Sequence, residues 1–124
     1  MQVPPLRGGR LDGEDFVIAE WVDDGETSAE FPMAPLHSHN QDDEAWYVLE
    51  GTLAVRRGDE LLEVPAGSAV VVPHGVSHTW WNAGPGRVRY LLIMTPRIAA
   101  LIEALHEPGA SPPAVFERFG ARLL

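Results

Sequence analysis

From Glu44 onward the chain never runs far without meeting a glycine or a proline, and that punctuation leaves room for short strands and little else. Turn signals fall at Glu50-Gly51, Arg57-Gly58-Asp59, Pro65-Ala66-Gly67, Pro73-His74-Gly75 and Asn82-Ala83-Gly84-Pro85-Gly86. The segments between them are β-prone: residues 46–49, 52–55, 69–72 and 88–94. An earlier strand is expected over residues 16–21, ended by the turn Asp23-Asp24-Gly25. Short strands at such spacing predict an antiparallel sandwich or barrel.

The period changes after residue 94. Thr95 can serve as an N-cap, with Pro96 at the first helical position. Ile98, Leu101, Ile102 and Leu105 then recur at helical spacing on one face. Pro108-Gly109 stops this helix. Ser111-Pro112-Pro113 opens a second one carrying Val115, Phe116 and Phe119, with Gly120 as its C′ residue. Both helices are expected to cover an open side of the barrel. The expected organisation is an irregular N-terminal arm over residues 1–14, a β-barrel over 15–95 and a helical segment over 96–124. At 124 residues, one domain can bury a core without disulfides.

Composition removes several classes of function. There is no cysteine, which excludes disulfide staples and thiolate metal sites. The formal net charge is −9, which argues against nucleic acid or anionic lipid as a partner. Apolar runs such as Tyr90-Leu91-Leu92-Ile93-Met94 are too short to span a bilayer. Met1-Gln2-Val3-Pro4-Pro5 has no apolar signal-peptide core, so a cytoplasmic location is expected.

Within this frame lie three histidines and a glutamate. His37 and His39 stand two apart, which in a strand puts both side chains on one face, roughly 6.6 Å apart along the chain. Two imidazoles at that separation can converge on one ion at about 2.1 Å each. The polar stretch Asn40-Gln41-Asp42-Asp43 allows a change of direction, and Glu44 then opens the next strand with an anionic oxygen. His78 follows the Pro73-His74-Gly75 turn on a third strand. A lone His-x-His pair is ordinary on a strand edge; the joint pattern is what raises it above that.

That pattern resembles the cupin superfamily. The first cupin motif is matched by His37, His39, Glu44 and Gly51, and the second by Gly67, Pro73, Gly75, His78 and Asn82. The resemblance covers about residues 25–95. One departure is Phe31, where the family usually has a glycine six residues before the first ligand histidine; it touches the local turn and no donor atom. The C-terminal helical segment looks, more loosely, like that of small quercetin-dioxygenase-like cupins. The resemblance implies an all-β double-stranded β-helix (a jelly-roll barrel) with one or two short C-terminal α-helices. It implies one divalent transition metal ion (Fe, Mn, Ni, Cu or Zn) held by His37, His39, Glu44 and His78. It also implies a homodimer, for which the edge strands and the N-terminal arm offer a route. Asn82 is expected to fix the following turn rather than contact metal.

Alternation extends the reading. If Glu44 points inward, so do Trp46 and Val48; if His78 does, so does Trp80. Trp46, Val48 and Trp80 would then wall a pocket suited to a flat or apolar small molecule, or simply pack in the core. Tyr47 and Trp81 should face the other way. On the last strand either Tyr90, Leu92 and Met94 or Arg89, Leu91 and Ile93 line the cavity. His74, in a turn, and His106, in the C-terminal helix, are expected at the surface. The expected activity is that of a dioxygenase-like metalloenzyme acting on a small aromatic or enol-type molecule. The alternatives are a non-redox metal-dependent isomerase or cyclase and a non-catalytic small-molecule binding module.

Overall fold

The computed structural model describes residues 1–124 throughout. Two five-stranded antiparallel sheets face each other, as the short, regularly punctuated strands require. The first contains β1 (Arg10–Asp12), β2 (Val17–Asp23), β4 (Glu44–Glu50), β7 (Ala69–Val72) and β9 (Val88–Met94), in the order β1-β2-β9-β4-β7. The second contains β3 (His37–His39), β5 (Thr52–Arg57), β6 (Glu60–Pro65), β8 (His78–Asn82) and β10 (Ala121–Leu123), in the order β10-β3-β8-β5-β6. This is the double-stranded β-helix. The chain crosses between sheets repeatedly, so residues far apart in sequence meet inside.

Alternation along the strands builds the interior. β9 buries Val88, Tyr90, Leu92 and Met94 and turns Arg89, Leu91 and Ile93 outward. β4 buries Glu44, Trp46 and Val48. Trp46, Val48, Leu53, Val55, Val72 and Val88 are fully enclosed and form the centre of the core. Each such side chain contributes about 1.5–3 kcal/mol by leaving water.

Two helices follow: α1 (Pro96–Leu105) and α2 (Pro112–Arg118). The Thr95 hydroxyl accepts from the Ile98 backbone N–H at 3.3 Å, capping α1 as expected. Leu101 and Ala104 of α1 meet Val115 and Phe116 of α2 and Ala121 of β10 in a second, smaller cluster. Three strands were not foreseen, one of them β6, which pairs with β5. β1 lies within the N-terminal arm and pairs with β2. β10, after Gly120, pairs with the three-residue β3. No helix is long and apolar enough to cross a membrane.

The turns are held by named contacts. Asn82 donates from Nδ2 to the Gly86 carbonyl at 2.7 Å and to Asp23 Oδ2 at 3.1 Å, and accepts from the Gly84 N–H at 2.8 Å. It therefore fixes the loop after β8, as expected. Phe31, in place of the usual glycine, is exposed. Its turn is closed by Ser28, whose N–H donates to the Phe31 carbonyl at 3.0 Å and whose hydroxyl accepts from the Phe31 N–H at 3.2 Å.

Gly51, between β4 and β5, has φ +77, and a Cβ there would collide with the Arg87 carbonyl. Gly67 has φ +87 with open space around it. Gly51→Ala is therefore expected to cost clearly more than Gly67→Ala, for which left-handed backbone strain alone predicts about 1–2 kcal/mol. Urea unfolding of both variants checks this; equal losses would refute the close approach at Gly51.

Candidate metal centre

The four candidate ligands come from both sheets. His37 and His39 lie on β3, which is too short to hold itself. β10 secures one side of it, pairing Ala121 with His39 and Leu123 with His37. On the other side His37 lies opposite His78, the first residue of β8. The Gly75 N–H also donates to the His39 carbonyl at 2.7 Å, so the turn before His78 braces the strand carrying the other two imidazoles. Glu44, first residue of β4, reaches in from the opposite sheet.

The four side chains converge. All are buried, and each offers a donor atom within 4.8 Å of the others. Donors on opposite sides of one ion, with bonds of about 2.1 Å, stand about 4.2 Å apart, so only a small contraction is needed to close the shell.

Hydrogen bonding sets the tautomers. His37 Nδ1 lies 2.6 Å from the Pro35 carbonyl and His78 Nδ1 lies 3.0 Å from the Val76 carbonyl. A carbonyl only accepts, so both Nδ1 atoms carry hydrogen, which leaves Nε2 of each ring as the nitrogen facing the cluster. His78 Nε2 is 3.0 Å from Glu44 Oε1, and His39 Nε2 is 3.4 Å from the same oxygen. Neither nitrogen of His39 makes a hydrogen bond, although both are buried. A buried carboxylate oxygen shared by two imidazoles, one of them with no hydrogen bond of its own, is a place where a cation is stabilising. The residues therefore fit a bound metal ion.

The electrostatics agree. Burial, reinforced by the neighbouring His78, lowers His37 to about 4, so its ring is neutral at physiological pH. Burial alone would raise Glu44, but its contacts with His39 and His78 outweigh that and hold its carboxyl at about 2. Three imidazoles bound as neutral ligands, with one carboxylate, would leave a divalent ion with net positive charge.

His37, His39 and Glu44 form part of the wall of a cavity of about 500 Å³. The rest of the wall is mostly apolar. It includes Trp80, Tyr90 and Leu92 from the strands, Ile98 and Ile102 from α1 and Phe116 from α2. Of the three residues expected to shape a pocket, Trp80 lines this cavity. Trp46 and Val48 point inward and are enclosed in the core beneath it. The Trp46 ring lies 5.6 Å from His78 and 5.0 Å from Trp80, backing both. The open choice on β9 resolves to Tyr90 and Leu92.

His74 is exposed and contacts Asp43 at 3.0 Å. His106 is exposed, at the C-cap of α1, and also lines the cavity. The helices were expected to cover an open side of the barrel; that Ile98, Ile102 and Phe116 line the cavity itself was not foreseen. The only sequence signal for this is the apolar face of α1, which reads equally well as plain packing.

The sequence model of the family described as Cupin domain matches residues 26–94. No curated protein shows significant similarity to the chain. Among solved structures, it is similar to a cupin-2 domain containing protein from Shewanella frigidimarina, at 25% identity and TM-score 0.55, over 68% of this chain and 74% of that one. It is also similar to a putative sugar phosphate isomerase from Acidithiobacillus ferrooxidans, at 22% identity and TM-score 0.56, over 65% and 50%. A third match is hydroxypropylphosphonic acid epoxidase from S. wedmorenis, at 21% identity and TM-score 0.53, over 64% and 42%.

The two shifts predict how the metal-free protein responds to acid. His37 ordinarily titrates at 6.5 and here at about 4, so between those values the unfolded chain binds a proton that the folded chain refuses. Stability therefore falls as pH drops through that window, by about 3 kcal/mol from His37 alone. Glu44, ordinarily at 4.5 and here at about 2, extends the loss to lower pH. Urea unfolding of metal-free protein should show this slope between neutral pH and pH ~4; a flat profile would contradict a neutral, buried His37.

Proposed function

The chain belongs to the cupin family, and from that premise we propose that it is a metal-dependent, dioxygenase-like enzyme acting on a small aromatic or enol-type molecule. The observation that carries this reading is the opening of the His37, His39 and Glu44 cluster into a mostly apolar cavity of about 500 Å³. His37, His39, Glu44 and His78 would hold the ion. Such an ion supplies Lewis acidity towards an enolate or phenolate oxygen and, if redox-active, a path for electrons between that molecule and dioxygen. The chain's own part is to bind, orient and dry the reactant. Trp80, Tyr90 and Leu92 offer flat and aliphatic surface to a ring. Ile98 and Ile102 of α1 and Phe116 of α2 add apolar wall beside the donor cluster.

A non-redox isomerase or cyclase is the second reading. It is favoured by the donor set, which zinc satisfies equally well, and by the similarity to a structure described as a putative sugar phosphate isomerase. No lysine or arginine lines the cavity, which argues against a phosphorylated substrate and for an apolar one in either case.

The test is metal analysis of protein purified without a metal-affinity tag, followed by oxygen uptake with catechols, flavonols and enolic diketones. The expected result is about one divalent ion per chain, uptake with one of these classes, and loss of both ion and uptake in His78→Ala. Turnover without oxygen consumption would replace this reading with the second. Binding with full recovery of unchanged ligand would replace both with a carrier or sensor.

The outer face of the first sheet supports a homodimer. Leu11 pairs with Ile18, Ile18 with Ile93, Ile93 with Ala45 and Ala45 with Val71, one apolar row across all five strands. Leu91, Tyr47 and Ala69 form a second row beside it. The solvent face of an antiparallel sheet is ordinarily polar, and a patch of this kind marks an interaction surface. A second copy, presenting the same rows about a two-fold axis, would cover it. Light scattering is expected to show a dimer for the wild type and a folded monomer for Val71→Asp. A monomeric wild type at tens of micromolar, roughly the range of weak protein association, would exclude this face as a stable dimer contact.

A further inference from the structure

Most polar groups on the cavity wall are already engaged. The Asp23 carboxylate accepts from the Gly25 and Glu26 N–H groups, from Thr27 and from Asn82. The Thr27 hydroxyl donates to Asp23 and accepts from the Asn82 N–H. Tyr90 is different. Its ring is buried, and its oxygen accepts the Trp80 indole N–H at 3.1 Å. Its own proton points to Met33 Sδ at 3.1 Å. A thioether is a weak acceptor, so this buried hydroxyl donates to the poorest partner a side chain can offer.

The surroundings show where a better acceptor would come from. Tyr90, Met33 and Trp80 all face the same cavity as His37, His39 and Glu44. The Trp80 indole lies between the phenol and the donor cluster, with its ring 6.3 Å from those of both His37 and His78. A ring lying along this wall would reach the metal ligands at one end and the Tyr90 hydroxyl at the other. Burial pushes the phenol above its usual range, so it keeps its proton and remains a donor. The indole N–H donating to the same oxygen polarises the O–H bond and strengthens what it can give.

We propose that Tyr90 determines specificity, turning its O–H from Met33 Sδ to an oxygen of the bound molecule. The ligand is then an aromatic or enol-type compound with two oxygen functions, one at the donor cluster and an acceptor oxygen near Trp80. This rests on the metal-centre reading for the first oxygen only. The second contact is a property of the Tyr90, Trp80 and Met33 wall. Exchanging a sulfur acceptor for an oxygen gains most when that oxygen bears negative charge.

The probes are naphthol and the isomeric dihydroxynaphthalenes, titrated calorimetrically into zinc-loaded protein, where no redox turnover consumes them. At least one dihydroxy isomer is expected to bind the wild type about tenfold more tightly than naphthol, the scale of one well-placed hydrogen bond. Tyr90→Phe should bring that ratio to about one while keeping naphthol affinity. Met33→Leu should keep the wild-type ratio, because it removes only the sulfur. A wild-type ratio of about one, an unchanged ratio in Tyr90→Phe, or its loss in Met33→Leu would each overturn the proposal; the last would show the hydroxyl to be a structural tie to Met33. Repeating the titrations without zinc separates the two readings. Affinities that ignore zinc, with the ratio intact, would sink the metal-centre reading and leave this inference standing.

Discussion

A carboxylate taken out of water among three imidazoles is the interaction on which the rest of this molecule turns. Glu44 is enclosed and ionised, and no backbone donor serves it. Its neighbours are His39 and His78. Burying such a charge costs several kcal/mol unless positive charge meets it. The imidazoles that could share a cation with it reach it only if the two sheets close in one register. β4 brings Glu44 from the first sheet, while β3 and β8 bring the imidazoles from the second. β10 and the turn at Gly75 then hold β3 in place. The short C-terminal strand is thus part of the support for the site, although it contributes no ligand.

Two properties of the enclosure narrow the chemistry beyond what the fold permits. The donor set is nitrogen-rich and carries one negative charge, so a divalent ion there keeps an attraction for an anionic oxygen. The cavity around it offers no cation for a phosphate and presents indole, phenol and aliphatic surface instead. Together these favour an ionisable hydroxyl on an apolar frame. The scaffold itself is silent on this point, since its structural relatives include proteins described as an isomerase and as an epoxidase.

Much of the fold and the donor cluster was legible because both are written in turns. Glycines and prolines bound strands from Glu44 to Met94, and period-two alternation aimed Glu44, Trp46 and Val48 inward together. What alternation could not tell is depth. Trp46 and Val48 share a face with Glu44, yet they fill the floor of the barrel instead of its open space. β1 and β10 escaped notice because three-residue strands carry no period of their own. They exist through their partners, β2 and β3. The helical wall of the cavity escaped for a related reason. The apolar face of α1 is the same whether it meets side chains or a void, and only the closed structure shows that Ile98 and Ile102 border one.

β9 shows how tightly these features are coupled. Its inner face contributes Tyr90 and Leu92 to the cavity, and its outer face contributes Leu91 and Ile93 to the apolar sheet surface. A strand apolar on both faces has little in its own pattern to fix its register. The polar residues on and around it must do so. Arg89 reaches Glu20 at 3.4 Å and Glu50 at 3.5 Å on the outer side. On the inner side the Trp80 indole donates to the Tyr90 hydroxyl. A slip by one residue would turn Tyr90 to the exterior and carry Arg89 into the core, an unpaired charge too costly to keep. The phenol that faces the cavity therefore also helps to specify which way the strand lies, so position 90 carries both a binding and a folding constraint.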